Sequence, residues 1–440
     1  WEDIMKLNNI HMVAPTLKDA VYMAIDAGID MCMVPNDYDF TILLTELVKE
    51  GNISEARLDV SVKRILELKK QLGLFEQPFT PANTDYKKFG STEFARAAQN
   101  MAEESITLLK NNNQVLPIQQ SAKILVTGPA ANSMTYLNGA WTRTWQGSDT
   151  IWNDQSKYTI REAFNPATTT FIASDNLSDA DVREKMFTAA KASDVIIICL
   201  GEKPSTEKVG DIDALTMPDN QQQLVGLLKS TGKPVVLVLV ENRPLIVNDI
   251  EPLCDAIVLV YEPGDYGGLA LANIIYGKVN PSGKLPFTYP RHEASLLWYD
   301  HKHTETLDQT FGRKAFNPQW EFGYGLSYTT FQYSNLKISN DTLSTGNLQI
   351  SVDVTNTGTT TGKEVVQFYI ADRYASITPS VKRLRGFEKV EIKPGATHIV
   401  TFTISAKDLA FVGRDEKWIS EAGWFDIMLG SEKSSFYLSK

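Results

Sequence analysis

The sequence predicts an α/β chain that ends in an all-β domain. Residues 122–261 contain four short apolar runs rich in β-branched residues, and helical stretches lie between or after them. Such alternation predicts a doubly wound, mostly parallel sheet, an α/β sandwich with helices on both faces. From Phe331 onward, apolar and polar residues alternate at period two in about seven short segments, which predicts a β-sandwich.

Bulk composition narrows the function classes. The 440 residues carry a net charge of -10, and this length suits two to four domains. Without a basic stripe, the sequence does not favour a nucleic-acid partner, and it has no apolar run as long as a membrane span. The three cysteines are interpreted as buried free thiols.

The first 78 residues predict three helices and one strand. Helical patterns cover 17–28, 40–50 and 54–72, with Ser54 as an N-cap, and 30–35 resembles a short buried strand. This segment is too small to cover both faces of a parallel strand. We therefore expect residues 1–78 to be the tail of a larger α/β domain, such as a (β/α)8-like barrel, with a part missing upstream of Trp1.

Later domains follow from the same patterns. A linker is predicted at 79–91, the α/β sandwich at 92–290, a connecting segment at 291–330 and the β-sandwich at 331–440. The predicted strands of the sheet are 122–127, 194–200, 234–240 and 256–261, and the predicted helices are 93–108, 179–191, 218–229 and 267–276.

An acidic loop is the first candidate site. Residues 201–217 follow a predicted buried strand and contain Glu202, Glu207, Asp211 and Asp213. Open α/β sheets bind ligands outside the carboxyl ends of their strands. Composition alone does not separate such a site from a solvated acidic loop.

Several motifs, in order, resemble glycoside hydrolase family 3, the β-glucosidases and exo-β-glucan hydrolases. The matching stretches are Ala27–Pro35, Lys110–Asn112 with Leu116–Pro117, Gly139–Gly147, Gly201–Asp211, Asn280–Phe287, Phe322–Leu326 and Arg385–Val390. The resemblance covers essentially the whole chain. It implies a (β/α)8-like barrel, an α/β sandwich and a fibronectin-III-like β-sandwich, in that order.

The resemblance also implies catalytic residues. The family's nucleophile is an Asp directly before a Trp that matches Trp1, so the nucleophile is expected just upstream of this chain. The general acid/base matches Glu207, with Glu202 and Asp211 as alternatives. A retaining glycosidase needs these two carboxyl groups about 5 to 5.5 Å apart, on opposite sides of the anomeric carbon.

Two tryptophans are the expected substrate-binding residues. In the family, the equivalents of Trp1 and Trp141 enclose the first leaving-group sugar. For Trp145, core packing and a role in the site are about equally supported.

The resulting hypothesis is a retaining exo-acting β-glucosidase that acts on β-glucosides or β-glucan oligosaccharides. Alternatives are a β-xylosidase or another β-glycosidase of the family, or a non-catalytic carbohydrate-binding or structural fragment. We expect no cofactor and no metal, a periplasmic or secreted location, and the barrel portion of the same protein as the partner.

Overall fold

The computed structural model describes residues 2–36, 38–79, 86–174, 177–295, 298–305 and 316–439. The chain divides into two compact units, one that ends at Ser91 and one that begins at Thr92. Within the described ranges, no helix combines the length and the apolar character needed to cross a membrane.

The first unit is helical. Its helices are α1 (Asp3–Asn9), α2 (Leu17–Asp26), α3 (Asp39–Lys49) and α4 (Glu55–Gln71). The predicted N-cap is confirmed, because the Ser54 side chain accepts a hydrogen bond from the backbone N–H of Arg57. Small and branched apolar residues of α2, such as Val21 and Ile25, are buried against α3.

The strand predicted at 30–35 is wrong. The segment forms no strand, and its Met33 carbonyl accepts a hydrogen bond from the N–H of Glu2 at 2.9 Å. A β-strand exists only when a neighbouring strand supplies its hydrogen bonds. The described part of the first unit contains no strand to pair with it.

A six-stranded sheet organises the second unit. Its strands are β1 (Thr107–Asn111), β2 (Ile124–Thr127), β3 (Thr169–Phe171), β4 (Val195–Gly201), β5 (Val235–Val240) and β6 (Ala256–Leu259). The helices of this part are α5 (Thr92–Ser105), α6 (Met134–Asn138), α7 (Ile160–Ala163), α8 (Ala180–Ala192), α9 (Asp219–Lys229) and α10 (Gly267–Ile275). The order is β1-β6-β5-β4-β2-β3, and every pairing is parallel except that of β1 with β6.

Both faces of this sheet are covered. All residues of β4 and β5 are buried, and a separate apolar cluster packs on each face. This confirms the doubly wound α/β prediction. The helix predicted to reach Leu108 ends at Ser105, and β1 and β3 were not predicted.

The β-sandwich follows. Its strands are β7 (Phe331–Ile338), β8 (Thr342–Leu343), β9 (Asn347–Asn356), β10 (Gly362–Asp372), β11 (Arg383–Ile392), β12 (Thr397–Ser405), β13 (Phe411–Val412), β14 (Trp418–Ile419), β15 (Gly423–Leu429) and β16 (Glu432–Leu438). They form sheets ordered β11-β10-β15-β16-β8 and β12-β9-β7, with a small β13-β14 hairpin. Inward-facing residues of the two sheets share one core. Glu104 of α5 binds Lys363 and Lys389, so ion pairs connect the sandwich to the α/β part.

Candidate active site

The carboxyl edge of the sheet has a point where strand order reverses. The chain leaves β2 for β3 on one side and then returns to β4 on the other side of β2. Open α/β sheets bind ligands at such switch points. The loop after β2 (residues 128–150) and the loop after β4 (residues 202–217) both begin there.

Glu207 lies in the loop after β4. It is the first residue of a short 3-10 turn, Glu207–Gly210, and its φ of 55° is in the left-handed region that few non-glycine residues adopt. Its side chain is exposed. One carboxylate oxygen accepts a hydrogen bond from the indole Nε1 of Trp145 at 3.2 Å. The group is thus open to a ligand and oriented by a fixed donor.

The loop after β2 presents two indoles. Trp141 is 66% exposed and Trp145 is 46% exposed. A tight turn joins them, since the N–H of Trp141 donates to the carbonyl of Trp145 at 2.9 Å. Exposed indole faces are suited to packing on the apolar face of a ring. Trp1, the expected partner of Trp141, lies outside the described residues.

A side-chain amide links these two loops. Gln146 Nε2 donates to the carbonyl of Thr206 at 3.1 Å, and the N–H of Thr206 donates to Gln146 Oε1 at 3.0 Å. The Gln146 amide thus binds the N–H and the carbonyl of Thr206, as a neighbouring β-strand would, and Thr206 directly precedes Glu207. Sequence reasoning missed Gln146, because its partner lies 60 residues away in the chain.

Glu202 has a different environment from Glu207. It is 14% exposed, and both of its oxygens accept hydrogen bonds from Arg243, which follows β5. The carboxylate of Glu202 is the first cause of the raised Arg243 pKa. Because Arg243 already binds both oxygens of Glu202, this carboxyl group is not free to reach a substrate, which disfavours Glu202 as the acid. The other alternative, Asp211, is exposed.

The loop after β6 contacts the loop after β2, residues 128–150, which carries Trp141 and Trp145. Arg143 Nη2 donates to Asp265 Oδ2 at 2.7 Å. Gly139 has a φ of +77°, which residues with a side chain rarely adopt, and a Cβ atom there would displace the Glu262 carboxyl group, whose Oε2 lies 2.3 Å away. Burial, followed by the charge of Glu202, raises the pKa of Glu262.

Beneath the site lies a buried acid. Burial raises the pKa of Glu241 well above its usual value, and the charge of Glu202 adds to this effect. The Tyr289 hydroxyl lies 2.8 Å from Glu241 Oε1 and 2.6 Å from the carbonyl oxygen of Leu245. A hydroxyl has a single hydrogen to donate. Both contacts are satisfied when protonated Glu241 donates to Tyr289 and Tyr289 donates to Leu245.

In the ranges that the structure describes, no three or more His, Cys, Asp or Glu side chains are grouped as a metal site requires. The site as described therefore offers carboxyl groups, indoles and amides, which are suited to proton transfer and sugar binding.

Family models match three parts of the chain. The glycosyl hydrolase family 3 N-terminal domain matches residues 2–68, the family's C-terminal domain matches 106–328, and a fibronectin type III-like domain matches 364–433. The chain therefore belongs to glycosyl hydrolase family 3.

Known proteins agree with this assignment. The chain is 40% identical over its whole length to a lysosomal beta glucosidase of Dictyostelium discoideum, covering 56% of that protein. It is 32% identical over its whole length to a putative beta-xylosidase of Formosa agariphila, covering 59% of it. It thus spans little more than half the length of these relatives.

A solved structure is similar as well. A beta-glucosidase from Listeria innocua in complex with isofagomine superposes on 100% of this chain with a TM-score of 0.91 and 28% identity. The chain covers 63% of that structure. The α/β sandwich followed by a fibronectin-III-like sandwich is thereby confirmed as the fold.

Proposed function

We propose that this chain forms the acid/base-bearing part of a retaining, exo-acting β-glucosidase. The substrates are β-glucosides or β-glucan oligosaccharides, cleaved at the terminal non-reducing glucosyl residue. The observation that carries the proposal is the Glu207 carboxylate, exposed at the switch point of the sheet and oriented by an indole N–H. Similarity to proteins named beta-glucosidases supports the substrate class.

The reaction proceeds in two displacements. First, Glu207 gives its proton to the glycosidic oxygen as the bond from that oxygen to the anomeric carbon breaks. A nucleophilic aspartate, assigned to the position directly before Trp1 in the parent polypeptide, forms an ester to that carbon. Next, the Glu207 carboxylate takes a proton from water, and the water oxygen replaces the aspartate. Glucose leaves, and both carboxyl groups return to their starting states.

Trp141 and Trp1 bind the first leaving-group sugar in this proposal. The exposure of the Trp141 indole supports the assignment, because a ring face open to solvent is available to a ligand. The proposal includes a periplasmic or secreted location and no cofactor.

The direct test is Glu207→Gln in the complete polypeptide. We expect kcat/KM for cellobiose to fall by about 10² to 10⁴, the usual contribution of a general acid. Asp213→Asn is the matched control, because it removes another exposed carboxylate from the same loop. Unchanged cellobiose turnover in Glu207→Gln would remove Glu207 from the mechanism, and Asp211→Asn would then be measured.

β-Xylosides are the second candidate substrates. The relative named a putative beta-xylosidase favours them. The ratio of kcat/KM for an aryl β-glucoside and the matching β-xyloside decides between the two. A complete polypeptide that hydrolyses neither compound would support the non-catalytic, carbohydrate-binding alternative.

A further inference from the structure

Arg243 connects the two ends of the turn that carries Glu207. Its Nε lies 3.1 Å from each oxygen of Glu202, and its Nη2 lies 2.6 Å from Glu202 Oε2. Its Nη1 donates to the carbonyl of Gly210 at 2.5 Å. Glu202 directly follows β4, and Gly210 is the last residue of the 3-10 turn. One guanidinium group therefore fixes both the start and the end of the segment that contains Glu207.

This ion pair is stronger than an ordinary surface pair. The Arg243 and Glu202 side chains are 28% and 14% exposed, so solvent screens them only partly. The planar guanidinium binds both carboxylate oxygens, which fixes distance and angle together. Arg243 also donates its backbone N–H to Glu202 Oε1 at 3.2 Å. Lysine has one donor centre and lacks this fork.

Glu207 itself has much less support. Its side chain is exposed and accepts a hydrogen bond from Trp145 Nε1 at 3.2 Å. Its backbone is in the left-handed region, which a non-glycine residue keeps only when its surroundings impose it. The orientation of the carboxyl group therefore depends on the geometry of the whole turn.

We propose that Arg243 is a positioning residue that sets the angle at which the turn presents the Glu207 carboxyl group to the glycosidic oxygen. This inference rests on the function proposed above for Glu207. Arg243 touches no reacting atom. It acts on the reaction because proton transfer requires hydrogen-bond reach, and a displacement of about 1 Å costs on the order of 100-fold in rate.

Leaving groups of different basicity separate this role from a structural one. A sugar alkoxide departs only when it receives the proton of Glu207, whereas 2,4-dinitrophenolate departs without a proton. A misplaced acid therefore slows cleavage of cellobiose and leaves the first displacement on 2,4-dinitrophenyl β-glucoside nearly unchanged. A misplaced base slows the second displacement, and azide, which attacks without losing a proton, restores its rate.

The test uses two variants of the complete polypeptide. Arg243→Lys keeps the positive charge and loses the planar guanidinium that binds both carboxylate oxygens. Arg243→Met with Glu202→Gln removes both charges, so that no unpaired buried carboxylate destabilises the fold. For each, we expect kcat/KM on cellobiose to fall by about 30-fold or more, and kcat/KM on the dinitrophenyl glucoside to fall by less than about threefold. Azide is expected to raise kcat on the dinitrophenyl glucoside.

The control is an Arg–Asp ion pair of the β-sandwich, whose side chains are 41% and 42% exposed. Arg373 binds Asp426 in the β-sandwich at 2.7 Å. The double variant Arg373→Met, Asp426→Asn is expected to turn over both substrates at the wild-type rate.

Two results would overturn the inference. Equal losses on both substrates would mean that Arg243 only maintains the fold, and unchanged rates on both would mean that it does not position the acid. If instead the function proposed for Glu207 is wrong, Glu207→Gln itself will not show a loss of kcat/KM on cellobiose that exceeds its loss on the dinitrophenyl glucoside. A selective loss in Glu207→Gln without one in the Arg243 variants would overturn this inference alone.

Discussion

The parallel sheet and the β-sandwich distribute polar side chains in opposite ways. All residues of β4 and β5 are buried, whereas buried and partly exposed residues alternate along β9. Strands covered on both faces, such as β4 and β5, consist almost entirely of apolar residues. Charged groups lie beyond the strand ends, in the loops that carry Glu202, Glu207 and Arg243. The sandwich spreads its polar groups over its outer faces.

The largest expected effect concerns the close approach of two strand ends. Gly201 ends β4, and a Cβ atom there would lie 1.8 Å from the carbonyl oxygen of Val240, the last residue of β5. Gly201→Ala therefore forces the backbone apart. We expect a loss of about 3 kcal/mol or more in stability, measured as a fall in melting temperature.

Gly226→Ala is the control for this change. Gly226 lies inside α9, and a Cβ atom there meets nothing within 4 Å. Alanine is expected to stabilise this helix by about 0.5 to 1 kcal/mol. A melting temperature of Gly201→Ala equal to that of the wild type would contradict the account of the strand ends.

The buried acid predicts an effect of intermediate size. In the unfolded chain, Glu241 releases its proton near its ordinary pKa of 4.5, whereas in the folded chain its pKa is raised. Between those two values the unfolded state binds fewer protons, so stability falls as the pH rises, by at most about 1.4 kcal/mol per pH unit. Glu241→Gln is expected to remove this slope.

Urea unfolding followed between about pH 5 and pH 7 measures this slope. Glu388→Gln, at an exposed position of β11 in the sandwich, controls for the loss of one carboxyl group. If Glu241→Gln keeps the wild-type slope, Glu241 is not the group that binds the proton.

The smallest predicted effect comes from a single hydrogen bond. Trp145→Phe keeps an aromatic ring and removes the N–H that orients Glu207. We expect kcat/KM on cellobiose to fall by up to about tenfold, since an ordinary hydrogen bond contributes about 0.5 to 1.5 kcal/mol. Trp424→Phe in the sandwich is a matched control, because both indoles are 46% exposed. Equal rates in the two variants would show that the Trp145 bond has no catalytic consequence.

Local patterns predicted the parallel strands well, because an unbroken apolar run such as Val195–Leu200 indicates burial on both faces without knowledge of its neighbours. Pairing was harder to predict. β1 becomes a strand through antiparallel pairing with β6, far along the chain, whereas the local pattern extends the preceding helix over its first two residues, Thr107 and Leu108. The segment 30–35 has strand-like composition and no described partner.

The candidate site shows the same division. Because open α/β sheets bind ligands outside the carboxyl ends of their strands, the sequence pattern indicated the acidic loop as a site. The resemblance to glycoside hydrolase family 3 then selected Glu207 among the carboxylates of that loop. Residues 202 and 207 have the same side chain, and their long-range contacts, to Arg243 and to Trp145 respectively, distinguish them. Gln146 and Trp145 act through partners about 60 residues away, which no local pattern reports.

The antiparallel pairing of β1 with β6 also imposes an order on biosynthesis. Residues 107–111 leave the ribosome well before 256–259, and at about 5 to 20 residues per second the delay is roughly 7 to 30 seconds. During that time β1 has no partner, and its apolar residues Leu108 and Leu109, buried in the finished protein, stay uncovered. A nascent chain halted before β6 is therefore expected to be a better substrate for chaperones than one halted just after it.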